Sequence, residues 1–161
     1  MAPVANNYTS NYANDDATEL LQGQAEVLNH LFGFVDSLAV RSAIELGIPD
    51  IIHSHGQGQP MTLSEIASKI KPTPADVPCL ARVMRVLVQK KFLSINYKNE
   101  EPYYGPTPAA KWLLRDSELS LAPTFLSFTD PSMMFPWHEM GRSIKEGGGT
   151  PFEKAHGESI W

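Results

Sequence analysis

The chain has 161 residues, 42% of them hydrophobic, with 13 Lys and Arg against 18 Asp and Glu and a formal net charge of -5. That length and apolar content allow one domain with a real core, or one and a fraction. The acidic balance argues against strong non-specific affinity for nucleic acid or an anionic membrane. A single cysteine, Cys79, excludes an internal disulfide and fits a reduced, cytoplasmic setting.

Residues 1–15 are rich in Asn, Ala and Tyr and are expected to form a disordered tail. They lack the basic and apolar regions of a signal peptide. The sequon Asn7, Tyr8, Thr9 is therefore expected to stay unused. No apolar run approaches the ~18 residues of a membrane span.

A helix is expected to start near Asp16, with Asp16 as cap and Glu19 bonding back three residues later. Apolar residues follow at 21, 25, 28, 32, 35, 39 and 43, and a second set at 20, 27, 31, 34 and 38. Two stripes predict a helical region buried on more than one side, as a dimer interface or as a central core helix. Gly33 is a candidate break within it. Gly47 and Pro49 are expected to end it. Ile51 and Ile52 read as a buried connector, and His53 to Pro60 as an exposed polar loop. Its two histidines have no third metal ligand nearby in sequence.

Thr62, Leu63, Ser64, Glu65 is a capping box. It opens a short helix with Ile66, Ala67 and Ile70 on one face, stopped by Pro72. Thr73 and Pro74 are expected to cap the next helix. That helix presents Val77, Leu80, Met84, Leu87 and Val88 to a core, with Arg82, Arg85 and Gln89 along its flank. Phe92 to Ile95 reads as a strand, Asn96 to Pro102 as a turn, and Tyr103-Tyr104 as the return strand. Helix, short turn, helix, hairpin is the order of a winged helix. Thr107 and Pro108 cap a helix from Ala109 to Leu114, and another is expected around Ser120 to Phe128. After the break at Asp130 and Pro131, a last helix is expected from about Ser132 to Glu146, closed by Gly147. Phe152 and Trp161 are large apolar residues with nothing after them to pack against, so the segment 147–161 is expected to be a linker entering a second domain. The fold class is thus mainly α: a winged-helix-like domain over 16–146 with one small β-hairpin.

A winged helix invites a DNA-binding reading. Arg82, Arg85, Lys90 and Lys91 lie on or beside its second helix, but the hairpin tip carries Glu100 and Glu101 where phosphates would lie. Arg82 and Arg85 are expected to pair within the chain. Gly147, Gly148 and Gly149 follow Lys145 and Glu146 rather than a hydrophobic strand, so they read as a hinge and not as a phosphate or cofactor loop. His138 and His156 lack an orienting partner or a nucleophile near them in sequence. No complete active site is legible. The segment from Phe125 to Trp137 concentrates aromatics and methionines around a proline break. Such side chains suit an adaptable pocket for flat aromatic ligands, or ordinary core.

Several stretches together resemble the N-terminal region of plant small-molecule O-methyltransferases: Ala39 to Gly56, Pro60 to Ala67, Arg82 to Val88, Ser120 to Pro123, Pro136 to His138, and Thr150 to Gly157. The resemblance runs from Gln22 to Trp161, in order and with matching gaps. It is nearest to the branch acting on benzylisoquinoline alkaloids and flavonoids. It implies a helical, winged-helix-like part that builds an intimate dimer, homo- or heteromeric, followed by a Rossmann-like domain. That second domain would bind S-adenosylmethionine and carry a histidine base. The resemblance further implies that Phe128, Thr129, Met133, Met134 and Trp137 lie over the pocket of a phenolic acceptor. Phe32, Phe34 and Ser37 would reach towards the partner subunit's pocket. It implies no catalytic, cofactor or metal residue in this chain, which is expected to be inactive alone, and no nucleic-acid or membrane partner. The other readings are a winged-helix DNA-binding regulator and a short non-catalytic subunit that pairs with a full-length methyltransferase.

Overall fold

A computed structural model describes residues 8–71 and 75–159, with side chains from Asp16 onward. The chain forms two compact units, residues 1–36 and 37–161.

The first helix, α1 (Tyr8–Glu45), supplies all the described structure of the first unit. It is already helical at Tyr8, so Asp16 lies within it and is not its cap. Asp and Asn cost only tenths of a kcal/mol inside a helix, so a capping preference does not make a cap. Residues 1–7 of the expected tail lie outside the described residues. Gly33 does not break the helix either. Its cost of about 1 kcal/mol relative to Ala is small beside a helix of 38 residues.

The core of the second unit begins where α1 turns inward. Val40, Ala43 and Ile44 are buried, and the chain reverses through Gly47, whose φ of 68° is the left-handed conformation that favours glycine. A second helix follows at once, α2 (Ile48–Ser54), burying Ile48 and Ile52. The first helix thus ends where expected, and Pro49 stands in the first turn of the next, where a missing N–H costs nothing.

Met61 and Thr62 form the short strand β1. Thr62 then caps α3 (Leu63–Lys69) through the expected box. Its hydroxyl accepts from the Glu65 N–H at 3.3 Å, and Glu65 Oε2 accepts from the Thr62 N–H at 2.7 Å. The pair Thr73 and Pro74 lies outside the described residues. Helix α4 (Val77–Gln89) starts after it under Asp76, whose carboxylate accepts from the Cys79 N–H at 2.8 Å. Its Leu80, Met84 and Leu87 are buried, Val88 is partly so, and Val77 is exposed. Arg82 and Arg85 point outward and make no ion pair among the described residues, so the expected internal pairing is absent.

Strands β2 (Leu93–Lys98) and β3 (Glu101–Pro106) pair antiparallel from Leu93↔Pro106 to Lys98↔Glu101. The hairpin turn is only Asn99 and Glu100, both at positive φ, so the seven-residue turn read from the sequence is mostly strand. On its other edge β3 pairs with β1, giving a three-stranded sheet in the order β1-β3-β2. Helix pair, hairpin and short third strand make the winged-helix arrangement.

Thr107 caps α5 (Pro108–Lys111) and donates its hydroxyl to the Lys91 and Phe92 carbonyls, tying the helix to the hairpin's base. Helix α6 (Ala122–Phe128) has Pro123 in its first turn. The single helix expected after Asp130 is three pieces: α7 (Pro131–Met134), a 3-10 turn (Phe135–Glu139) and α8 (Met140–Glu146). Pro136 has no N–H to donate and its ring clashes with the carbonyl four residues back, so regular α-helix cannot run through it. Gly147 then closes α8. The segment 147–161 contains a further helix, α9 (Pro151–His156), packed on the 3-10 turn. Phe152 is not left without a partner: its ring meets that of His156 with centroids 4.4 Å apart. Trp161 lies outside the described residues.

Candidate functional site

Two features stand apart from the core, one in each unit. In the first, α1 carries both apolar stripes uncovered: Leu20, Leu21, Val27, Leu28, Leu31, Phe32, Phe34 and Val35 are all exposed. Phe32 and Phe34 are 58% and 54% exposed. Two residues apart in a helix turns a side chain by about 200°, so they serve different sides of α1. Ser37, in the second unit, is half-buried.

The second unit holds a cleft of about 310 Å³. Phe128 at the end of α6, Met133 on α7, and Pro136 and Trp137 on the 3-10 turn form one group of its walls. Thr150, Pro151, Phe152 and Ser159 form the other. Phe128 and Trp137 remain 62% and 63% exposed, so aromatic surface is presented rather than packed away. The structure thus brings Phe128, Met133 and Trp137 to one place. Thr129 and Met134, both half-buried, are not among the wall residues.

The second wall was missed. It comes from the segment read as a linker, although Thr150, Pro151, Phe152, Glu153 repeats the capping-box spacing that was recognised at Thr62. There the Thr150 hydroxyl accepts from the Glu153 N–H at 3.2 Å, and Glu153 Oε2 accepts from the Thr150 N–H at 2.6 Å. The Thr150 N–H, and after it the Thr150 hydroxyl, hold the Glu153 carboxyl below its ordinary range. Glu146 bridges Arg142 at 3.1 Å and Lys154 at 3.2 Å, linking α8 to α9. His156 Nε2 donates to the Ser132 carbonyl at 3.0 Å, linking α9 to α7. His156 is thus a strut beside the cleft.

Apolar walls of this size can hold a flat ring; the wall residues include no acid, base or nucleophilic group beyond two hydroxyls. Gly147, Gly148 and Gly149 all have positive φ but lie between two helices, with no strand before them. A Cβ at Gly147 or Gly148 would meet only open space. They do not form a cradle for a nucleotide-like cofactor. Among the described residues no group of three or more His, Cys, Asp or Glu could hold a metal ion. No described helix is long and apolar enough to cross a membrane.

Residues 28–116 match the O-methyltransferase dimerisation domain family. The chain is 44% identical over 153 residues to (R,S)-reticuline 7-O-methyltransferase of Papaver somniferum, covering 91% of this chain and 42% of that protein. It is 41% identical over 148 residues to trans-resveratrol di-O-methyltransferase of Vitis vinifera, covering 90% and 41%. The chain therefore spans about two fifths of the curated relatives it matches. Among solved structures, human N-acetylserotonin methyltransferase in complex with SAM superposes with a TM-score of 0.69 at 18% identity, over 86% of this chain and 38% of that one. At that identity the likeness shows the fold alone.

Proposed function

The chain belongs to the O-methyltransferase dimerisation domain family, and from that premise we propose that it supplies the subunit-pairing and acceptor-lid part of an S-adenosylmethionine-dependent O-methyltransferase. The acceptor is a plant phenol of the alkaloid or flavonoid class. The observation that carries this reading is the cleft walled by Phe128, Met133, Trp137 and Phe152. Apolar and polarizable walls orient a flat ring and exclude water, and transfer to a methylsulfonium donor benefits from both. Thr129 and Met134 flank this site, and Phe32, Phe34 and Ser37 are offered to the partner subunit's pocket.

The donor and the base lie outside these residues. S-adenosylmethionine supplies the methyl group when bound by a Rossmann-like domain that 147–161 leads into. Nothing in the Gly147–Gly149 turn fits it. The partner is a second copy or a related methyltransferase, in a cytoplasmic setting.

The test is direct. The purified chain should bind a plant phenol, neither bind S-adenosylmethionine nor transfer methyl, and sediment as a dimer. Methyl transfer by this chain alone would refute the division of labour.

The DNA-binding reading draws support from the winged-helix arrangement and the exposed Arg82, Arg85, Lys90 and Lys91, while the wing tip holds Glu100 and Glu101. It requires salt-dependent duplex binding. A non-catalytic subunit would instead alter the acceptor preference of a complete methyltransferase with which it co-purifies.

A further inference from the structure

One charged side chain acts beside the cleft without lining it. Arg41, near the C-terminal end of α1, reaches the far end of α6. Its Nη1 donates to the Leu126 carbonyl at 2.7 Å and to Thr129 Oγ1 at 3.2 Å. Its Nε meets Glu45 Oε1 at 2.8 Å, and only 21% of the side chain is exposed. Thr129 passes the connection on, donating its hydroxyl to the Phe125 carbonyl at 2.6 Å.

The last carbonyls of a helix have no partner within it and form the negative end of its dipole. No glycine closes α6; its C-cap is Thr129, at φ -98° and ψ 4°. A guanidinium at this end satisfies a carbonyl and the dipole together. The chain then reverses at once, because Asp130 caps α7 by accepting from the Ser132 hydroxyl at 2.6 Å and from its N–H at 3.0 Å. Those bonds hold the Asp130 carboxyl below its ordinary range, with a smaller pull from Arg41. Phe128 lies between Leu126 and Thr129, inside the clamped span. Met133 and Trp137 come directly after the reversal.

We infer that Arg41 is a positioning residue for the phenol cleft: it fixes the Leu126–Asp130 reversal and so sets where Phe128 stands against Met133 and Trp137. This rests on the proposed acceptor role of the cleft. Arg41 touches no acceptor; it acts through the backbone that carries Phe128. Lysine keeps the charge and three donors, but on a single nitrogen and without the planar fork that serves Leu126, Thr129 and Glu45 together, so it replaces arginine in part.

The experiment uses the whole chain with Arg41→Met, Arg41→Lys and Thr129→Val, and two readouts. The first is amide exchange over residues 126–134, compared with the buried end of α1 and with α4. The second is affinity for the stilbene phenol trans-resveratrol, followed by the Trp137 emission that a Trp137→Phe control isolates. Arg41→Met should speed exchange at 126–134 while leaving α4 protected, change the Trp137 emission, and weaken the probe about tenfold. Arg41→Lys should recover most of that loss, and Thr129→Val should give a smaller version of it. Exchange and emission unchanged in Arg41→Met would overturn the inference, as would a loss spread evenly over the core. Should Arg41→Met not fold, unaltered exchange in both Arg41→Lys and Thr129→Val overturns it equally. A wild-type chain that binds no phenol refutes the acceptor reading itself, whereas a binding wild type with indifferent variants refutes only Arg41's role.

Discussion

Asp50 and Arg115, 65 residues apart, meet through two parallel bonds: the Arg115 N–H donates to Asp50 Oδ1 at 3.0 Å and its Nε to Oδ2 at 2.8 Å. The pair fastens α2 to the turn that follows α5. Arg115 is half exposed, so solvent and salt screen the ionic part. The backbone bond is retained when the guanidinium is removed. Arg115→Ala should therefore cost about 0.5–1 kcal/mol, and Asp50→Ala, which loses both bonds, about 1–2 kcal/mol. Chemical denaturation with the double variant checks this; equal costs would show that the backbone bond contributes nothing.

The hairpin turn offers a stabilising change. Glu100 sits at φ 65°, where a side chain is strained and glycine is not. Glu100→Gly should raise stability by about 0.5–1 kcal/mol, leaving the Asn99-Gly pair that such turns favour. A lower thermal midpoint would contradict the turn geometry.

Acid should loosen the caps. Hydrogen bonds from Thr62 hold the Glu65 carboxyl below its ordinary value of 4.5, and Thr150 does the same for Glu153. A depressed folded value means stability that is complete above the ordinary value and lost as pH falls through the folded one. The thermal midpoint should stay level from pH 7 to about 5 and fall below that. An NMR titration should show Glu65 returning towards 4.5 in Thr62→Ala. No change in Glu65 would contradict the capping box.

The cleft makes its own prediction. Trp137→Ala removes the largest wall residue, one that is mostly exposed and so contributes little to the core. It should weaken phenol binding about tenfold or more while shifting stability by less than about 0.5 kcal/mol. Equal binding by both proteins would dissociate the cleft from the acceptor.

Local chemistry was legible in the sequence and long-range pairing was not. The Thr62 box, the Leu80, Met84, Leu87 face and the Gly147 closure depend on neighbours within one or two turns, and each is found where it was read. The strand β1 could not be read, because two residues carry no periodicity and exist as a strand only by pairing with Tyr103 and Tyr104. The first helix ends before Gly47 and Pro49 as read, but α2 reads only as a connector at Ile51 and Ile52, because seven residues are too few to show a helical period. Arg41 announces nothing in sequence; its meaning lies in a carbonyl 85 residues away. Three cleft residues lie in the segment singled out for its aromatic and methionine content, but the opposite wall lies in a segment whose apolar Phe152 was read as the entrance to a second domain.

The uncovered helix face gives the most direct test of the central claim, that this chain is a subunit-pairing module. Leu28, Leu31 and Phe32 are exposed on α1, and burying each such side chain contributes about 1.5–3 kcal/mol. Sedimentation velocity at micromolar concentration should show a dimer for the native chain and a folded monomer for Leu28→Glu combined with Leu31→Glu. A native chain that sediments as a monomer, or a variant that still dimerises, would contradict it.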